Sequence, residues 1–366
     1  MTIKSHTILV LLFLGLFAFS CKNENKIKTV KNNNRFFSDS SFWNQPIPEN
    51  AEIDPQSDYF ISLLAKEPTG NNFGINLYRF TIPVYEVDSA TPRYKMGYHE
   101  LTESEKLNWK TNRKYYGHGK EYDAELVPVP KNAKPDTASD MHMALIDYNK
   151  RIVWDMWGAK QLPDGSWISK TGMKYSLDGM GVFNPSDFDI QDGESVHFHG
   201  PGRAPGVPII AGLIMHKEVK DGEINHKIAC ANRFVAYKQH VFPAIWTDGM
   251  LEGGIPEGSV IQLDPKLDLS QFKLLEGEIV IAKALQKYGA VVVDFASGSV
   301  LYGELLSKNS AKTWDGLVRE WDGGINSIPV KHYRVLKLGK IINKGDGKRF
   351  FKKDVVPGIV PDEYGG

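Results

Sequence analysis

A mainly β fold, a sandwich or distorted barrel with a few helices, is what this sequence predicts, and three observations carry it. Most apolar stretches are short, rich in β-branched and aromatic residues, and bounded by turn formers. The 366 residues include 34 glycines and 20 prolines, more than the roughly 12% that these two residues contribute on average. Only one stretch, Gly277 to Lys287, has the length and apolar spacing of a long helix, so the regular strand–helix alternation of a doubly wound fold is missing. No repeat of fixed period occurs, which disfavours propellers and solenoids.

Taken in order, the chain starts with a secretory signal over residues 1–20. Lys4 supplies the positive end and Ile8 to Phe19 an apolar core too short to span a bilayer as an ordinary helix. Residues 21–35 are polar, rich in Lys and Asn, and read as a flexible tether. Residues 36–366 read as a single globular mainly-β domain. Phe36 to Pro48 is an extended aromatic segment and Asp58 to Lys66 a short helix. Leu77 to Val87 alternates like a strand, with Pro83 marking an edge or bulge. Pro92 to Pro135 is a polar excursion over one face. Met141 to Tyr148 and Arg151 to Trp157 form a hairpin, and Trp167 to Val182 is rich in glycine and turns. Val207 to Glu218 is an apolar run. Asp221-Gly222 reads as a hairpin turn leading into strands over Ile224 to Ala231 and Arg233 to Val241. Val260 to Leu263 is a further strand. Gly289 caps the long helix and Ala290 to Phe295 is a buried strand.

Composition excludes several function classes. The 44 basic and 44 acidic side chains leave a formal net charge of zero, and 42% of residues are apolar. A charge-driven nucleic-acid binder is therefore disfavoured, as is a disordered chain. Only the N-terminus carries a long apolar run, so several membrane spans are excluded. Cys230 is the sole cysteine beyond Cys21, and in its apolar setting it reads as a buried structural thiol. No GxSxG elbow, phosphate-binding loop, HExxH, CxxC pair or dinucleotide fingerprint is present.

Three elements carry polar groups of chemical interest. In the first, Asp140 and His142 stand two apart on a strand, so the carboxylate would orient the imidazole. Asp155, Trp154 and Trp157 follow; aromatic faces and carboxylates suit sugar binding, and the tryptophans read equally as core residues. The second is His197-Phe198-His199 ahead of a Gly-Pro-Gly turn and Arg203. Two histidines on one strand face begin a site for a divalent metal, with His216, His226 or a carboxylate as third ligand. They also suit a sugar site without metal. In the third, His226 follows Glu223 near a strand start and leads to Arg233 and Trp246. No other cofactor is implied.

Ala18-Phe19-Ser20-Cys21 resembles the lipobox of bacterial lipoproteins, in the loose form familiar from the Bacteroidota. The resemblance implies lipidation of Cys21 and a place in the cell envelope, at the outer membrane or on its periplasmic face, with the lipid as the only membrane contact. Asp140 through Gly158, Gly206 through Leu213, Gly222 through His226 and Ala284 through Gly289 resemble a group of secreted bacterial proteins. That likeness implies one continuous domain. An aromatic-rich, lipid-anchored exported domain is also similar in type to components of polysaccharide-utilisation systems.

These readings converge on a carbohydrate-active enzyme with a polysaccharide or oligosaccharide as its partner, first of all a polysaccharide lyase acting on uronic acids. His142 or His226 would be the base, Asp140 its orienting group, Arg203 or Arg233 the neutraliser of the sugar carboxylate and a tyrosine the acid. Trp154, Trp157, Arg233 and Trp246 would bind substrate. A glycoside hydrolase would use two of Asp140, Asp155 and Glu223. A glycan-binding lipoprotein without catalysis, or a structural envelope protein, are the readings outside enzymology.

Overall fold

A computed structural model describes residues 35–67, 72–99, 117–185, 190–191, 194–195, 201–307, 310–345 and 351–352. All of these belong to a compact unit that begins at Asn34. The fold is mainly β, 28% strand and 16% helix, and its sheets stay open. The sandwich is therefore the form adopted, and the closed barrel is not.

Ten strands build two principal sheets. In chain order, β1 is Gly74–Asn76, β2 Val84–Glu86, β3 Met143–Asp147, β4 Ile152–Trp157, β5 Thr171–Ser176, β6 Ile228–Asn232, β7 Val260–Leu263, β8 Ala290–Phe295, β9 Val300–Tyr302 and β10 Tyr333–Val335. The larger sheet runs β1-β9-β6-β8-β7-β10 and the smaller β5-β4-β3-β2. In the larger sheet β1/β9 and β6/β8 are parallel, while β6/β9, β7/β8 and β7/β10 are antiparallel. In the smaller sheet β2/β3 is parallel and the other pairs antiparallel. Pro83 precedes β2, an edge strand, where a missing N–H costs no ladder bond.

The alternation of strand side chains separates three apolar layers. Ala144, Ile146 and Val153 of the smaller sheet meet Ala229, Ala231, Val291 and Val293 of the larger one, with Val207 to Leu213 wedged between. Met143, Leu145, Trp154 and Met156 point the other way and pack with Tyr122, Val127 and Trp167. Ile228, Cys230 and Val292 pack under two helices, α1 (Ser57–Leu64) and α4 (Glu276–Lys287), through Phe60, Leu64, Ile281 and Leu285. Each fully buried aliphatic side chain in these layers contributes about 1.5–3 kcal/mol. Glu278 accepts from the Leu275 N–H at 2.7 Å to cap α4. At its other end the Gly289 N–H returns to the Ala284 carbonyl.

Four sequence expectations are corrected. Asp140 and His142 do not stand two apart on a strand: Asp140 is in a turn, Met141 has φ 46° and the strand begins at Met143, so parity does not align the carboxylate with the imidazole. The apolar run from Val207 divides in the fold: the tight turns to Leu213 form the wedge, and His216–Asp221 is a helix, α3. Gly222 is the left-handed cap of α3, φ 89°, and not a hairpin turn. The two strands after it start later, at Ile228 and Val235. Trp167 to Val182 holds two strands, Trp167–Ser169 and β5, where turns were expected. Glycine there serves packing: a Cβ on Gly172 would sit 2.3 Å from the Tyr122 ring.

Candidate functional site

Strand register decides which polar groups point into the layer between the sheets. Asp155 pairs with Ala144 on one side and with Met173 on the other, and Thr171 pairs with Trp157. Directly paired residues share a face. Asp155, Trp157, Thr171 and Tyr175 therefore project with Ala144 and Val153 toward the larger sheet, as does His142 two residues before Ala144. From the larger sheet come Tyr302, packed in the same layer, and Asp294. Between β6 and β8 the register slips, Cys230 pairing with Val292 but Ala231 with Asp294. This bulge turns the Asp294 side chain to the inner face.

Arg203 sits among these groups, 1% exposed. Its loop turns on Gly202, φ 71°, where a Cβ would lie 2.4 Å from the Val207 carbonyl oxygen. The Arg203 N–H closes this turn on that carbonyl at 2.9 Å. Nη2 donates to the Ile209 carbonyl at 3.0 Å, and the guanidinium carbon stands 4.0 Å from the centre of the Tyr302 ring. Nε and Nη1 have no hydrogen-bond partner. The Ile209 N–H donates to Asp155 Oδ2 at 3.0 Å, so one peptide unit holds both Arg203 and Asp155. The Tyr175 hydroxyl donates to the same Oδ2 at 3.0 Å. Asp155 Oδ1 and Thr171 Oγ1 are unpartnered. The Tyr302 hydroxyl donates to Asp294 Oδ2 at 3.4 Å.

Burial shifts the titration of every acid here. It pushes Asp155 up to about 7 against the opposing pull of the Ile209 N–H, Tyr175 and Arg203. Burial raises Asp140, helped by neighbouring Asp136 and opposed by the Trp157 indole N–H, Arg203 and Lys170. Asp294 rises well above the carboxylate range through burial and the charge of Asp248, and Glu257 does so for the same two reasons. His142 moves the other way, to about 3, because burial and then the Arg203 charge disfavour an imidazolium. The site thus holds an imidazole whose protonation burial disfavours, carboxyls shifted toward the protonated form, and the Arg203 guanidinium.

Of the residues singled out from sequence, the fold gathers Asp140, His142, Arg203 and Trp157. Asp155 joins them. His226 does not: its Nε2 faces Glu218 Oε2 at 3.1 Å and its Nδ1 the Lys227 carbonyl at 2.7 Å. Burial lowers its pKa, but Glu218 and the Lys227 carbonyl outweigh this and leave it raised. Arg233 is committed to Glu67, at 3.3 Å, and to the Ser297 carbonyl. Trp154 lies on the opposite face of β4, as strand parity requires of a neighbour of Asp155. Trp246 is buried, its backbone N–H bound to the Pro205 carbonyl of the Arg203 loop. Glu223 is on the surface near Lys287. His197, His199 and Cys21 lie outside the described residues. The suggested third metal ligands are occupied elsewhere, His216 by the Thr313 carbonyl at 3.0 Å and His226 by Glu218. Among the described residues no group of three His, Cys, Asp or Glu has metal-holding geometry.

Sequence reasoning passed over Tyr175, Asp294 and Tyr302. For Asp294 a signal existed: a carboxylate closing the buried run Ala290 to Phe295 needs a reason to be there. A second chain, Asp123–His118–Ser169, has the atom order of a serine-hydrolase triad, at 2.8 and 2.9 Å. Its serine is fully buried and Tyr98 stacks on the imidazole at 4.0 Å. It pins residues 118–124, which include the short helix α2 (Lys120–Ala124), to the Trp167–Ser169 strand.

Comparison with known proteins finds no matching family model, no similar curated protein and no similar solved structure.

Proposed function

We propose that this protein is a polysaccharide lyase that cleaves a uronic-acid-containing glycan by β-elimination. The observation that carries the reading is Arg203: a buried guanidinium with two unpartnered nitrogens, in one buried polar cluster with a neutral imidazole and two tyrosines. Such a guanidinium suits a carboxylate, since fork-shaped pairing is its strongest interaction. Neutralising the uronate carboxylate makes the C5 proton removable. His142, unprotonated at neutral pH, takes that proton as base. The electron pair left behind forms the C4–C5 double bond, the C4–O bond breaks, and the departing oxygen receives a proton from Tyr175 or Tyr302. Asp155 orders Tyr175 and, through the Ile209 peptide, Arg203. The base assigned to His226 and the neutraliser assigned to Arg233 are given up, because both are committed to other partners.

One observation favours a second reading. A carboxyl held near 7 is suited to be the acid of a glycoside hydrolase, with Asp155 as acid and Asp140 or Asp294 as its partner. Products separate the two. Incubation with a panel of acidic and neutral polysaccharides gives ultraviolet-absorbing unsaturated uronates from a lyase, and reducing ends without that absorbance from a hydrolase. Binding without either product supports the non-catalytic glycan-binding protein. The lipid anchor is part of the proposal: Cys21→Ser is expected to move the protein from the membrane fraction to the soluble one. Retention in the membrane fraction would refute it.

A further inference from the structure

Residues 35–44 run against the turn that follows β5, residues 177–181, and one methionine joins the two. Phe36, Phe37 and Trp43 of this segment are buried in the apolar layer between the sheets. Phe37 has φ 65°, a left-handed conformation that a bulky residue keeps only when its surroundings hold it there. Bonds to the turn hold it. The Ser38 N–H donates to the Gly179 carbonyl at 2.9 Å, the Ser41 hydroxyl to the Met180 carbonyl at 2.7 Å and the Trp43 indole N–H to the Gly181 carbonyl at 2.7 Å. Gly181 has φ 64°, and a Cβ there would lie 2.6 Å from the Phe37 ring. The Met180 side chain adds a contact of its own. Its Sδ accepts from the Ser38 hydroxyl at 3.4 Å and from the Ser40 hydroxyl at 3.8 Å, and the two hydroxyl oxygens lie 3.1 Å apart. Met180 is 48% exposed. Of the other described methionines, Met141 and Met215 are half-buried and the rest are buried.

We infer that Met180 is an oxidation site whose sulfoxide is captured by Ser38 and Ser40, so that a peroxide tightens the hold on residues 36–44. An exposed thioether is open to such an oxidant. The sulfur lone pair attacks one peroxide oxygen, an S–O bond forms as the O–O bond breaks, and the proton on the transferred oxygen passes to the departing hydroxide, which leaves as water. Sulfur loses two electrons and the peroxide gains them. Methionine sulfoxide reductases reverse the step. In a core, the change loosens packing, because a polar group replaces an apolar one. Met180 belongs to none of the apolar layers, so that penalty is missing. What changes is the acceptor. A thioether sulfur is a weak one, and a sulfoxide oxygen is polar and stronger. The hydroxyls stand 3.4 and 3.8 Å from the sulfur. A hydroxyl sits about 2.5–3.0 Å from an oxygen acceptor. An oxygen added on that side of the sulfur therefore meets both hydroxyls after a small rotation of the exposed side chain. Glycan cleavage is not required for any of this.

The test treats wild type, Met180→Leu and the double variant Ser38→Ala/Ser40→Ala with limiting hydrogen peroxide. Peptide mapping by mass spectrometry reads which methionine gains an oxygen, and hydrogen exchange reads the amides of residues 36–45. Met180 is expected to react before every other described methionine, in wild type and in the double variant alike. The N–H groups of Ser38, Ser41 and Asn44 bond the carbonyls of Gly179, Ser38 and Ser41. In oxidised wild type their exchange should slow about two- to tenfold, the scale of one neutral hydrogen bond gained. Met180→Leu should show no change with peroxide. The double variant, oxidised to the same extent, should show no slowing, which separates capture by the hydroxyls from an effect of the sulfoxide alone. Oxidation of Met141 or Met215 ahead of Met180, unchanged or faster exchange in oxidised wild type, or slowing that persists in Met180→Leu or in the double variant would overturn the inference.

Discussion

Arg203 and Arg319 both bond buried groups, and they are held in opposite ways. Arg319 meets Glu278 through Nε at 2.8 Å and Nη2 at 2.7 Å, and Nη2 also reaches the Lys273 carbonyl at 2.7 Å. Glu278 completes its valence with the N–H groups of Leu275 and Arg319. That set is closed: it caps α4 and ties the Trp314 to Arg319 segment to it. Arg203 is more deeply buried, yet bonds one carbonyl and leaves two nitrogens open. Its neighbours are carboxyls that burial pushes toward neutrality and none is a formal partner. Desolvating a charge without closing its hydrogen bonds is costly, so a fold retains such a group only where something else is gained. The contrast separates a cation used for structure from one suited to function.

The largest expected effect breaks this contrast at Arg203. Arg203→Met should lower cleavage of a uronate glycan by roughly 10²–10³-fold, the usual loss on removing one transition-state charge stabiliser. The melting temperature should change little, since no closed ion pair is opened. A variant that unfolds while Arg319→Ala stays stable would reverse the assignment of the two roles. His142→Ala comes next, with a loss of about 10²- to 10⁴-fold in rate for a missing base. Full activity in that variant would remove the imidazole from the mechanism, and Tyr175→Phe against Tyr302→Phe would then show which phenol donates.

The converse experiment is Arg319→Ala. It strands Glu278, whose side chain is fully buried, and should cost about 1–3 kcal/mol in chemical denaturation. The figure is kept below that of a fully buried pair because Arg319 itself is partly exposed. Activity should survive in the folded fraction.

Titration sharpens the comparison with smaller effects. Asp155 is raised from its ordinary value of 3.8 to about 7, so the folded state binds the extra proton between those values. Its contribution to stability is full below pH 3.8 and is lost as pH rises through 7. Asp155→Asn should therefore gain on wild type between about pH 4 and 7. His142 is lowered from 6.5 to about 3. Its contribution is present above pH 6.5 and lost as pH falls toward 3, so His142→Gln should be less acid-sensitive than wild type. Denaturation midpoints across this range check both slopes, and parallel curves for wild type and either variant would contradict the corresponding shift.

Much of the scaffold was legible in local pattern. The hairpin of β3 and β4, the strand at Ala290, the helix over Gly277 to Lys287 and its Gly289 cap follow from alternation, apolar spacing and a residue that tolerates positive φ. Strand parity alone placed Asp155 and Trp157 on one face and Trp154 on the other. The segment from Val207 to Asp221 was not legible, because an apolar run gives no sign of whether it pairs in a sheet or wedges between two. His226 misled for a related reason. Its partner Glu218 stands one turn into a helix that no spacing revealed.

By itself, then, the sequence determined the β character, the shared face of Asp155 and Trp157, and the burial of Cys230, since these depend on near neighbours in the chain. Tertiary structure alone decided that Arg203 is buried between the sheets, that a bulge between β6 and β8 brings Asp294 to the inner face, and that His226 and Arg233 are spent on other partners. It also brought Tyr302 against the Arg203 guanidinium and Tyr175 to Asp155. Those outcomes depend on which strands pair and in what register, and register is set by contacts between distant segments, which local alternation does not encode.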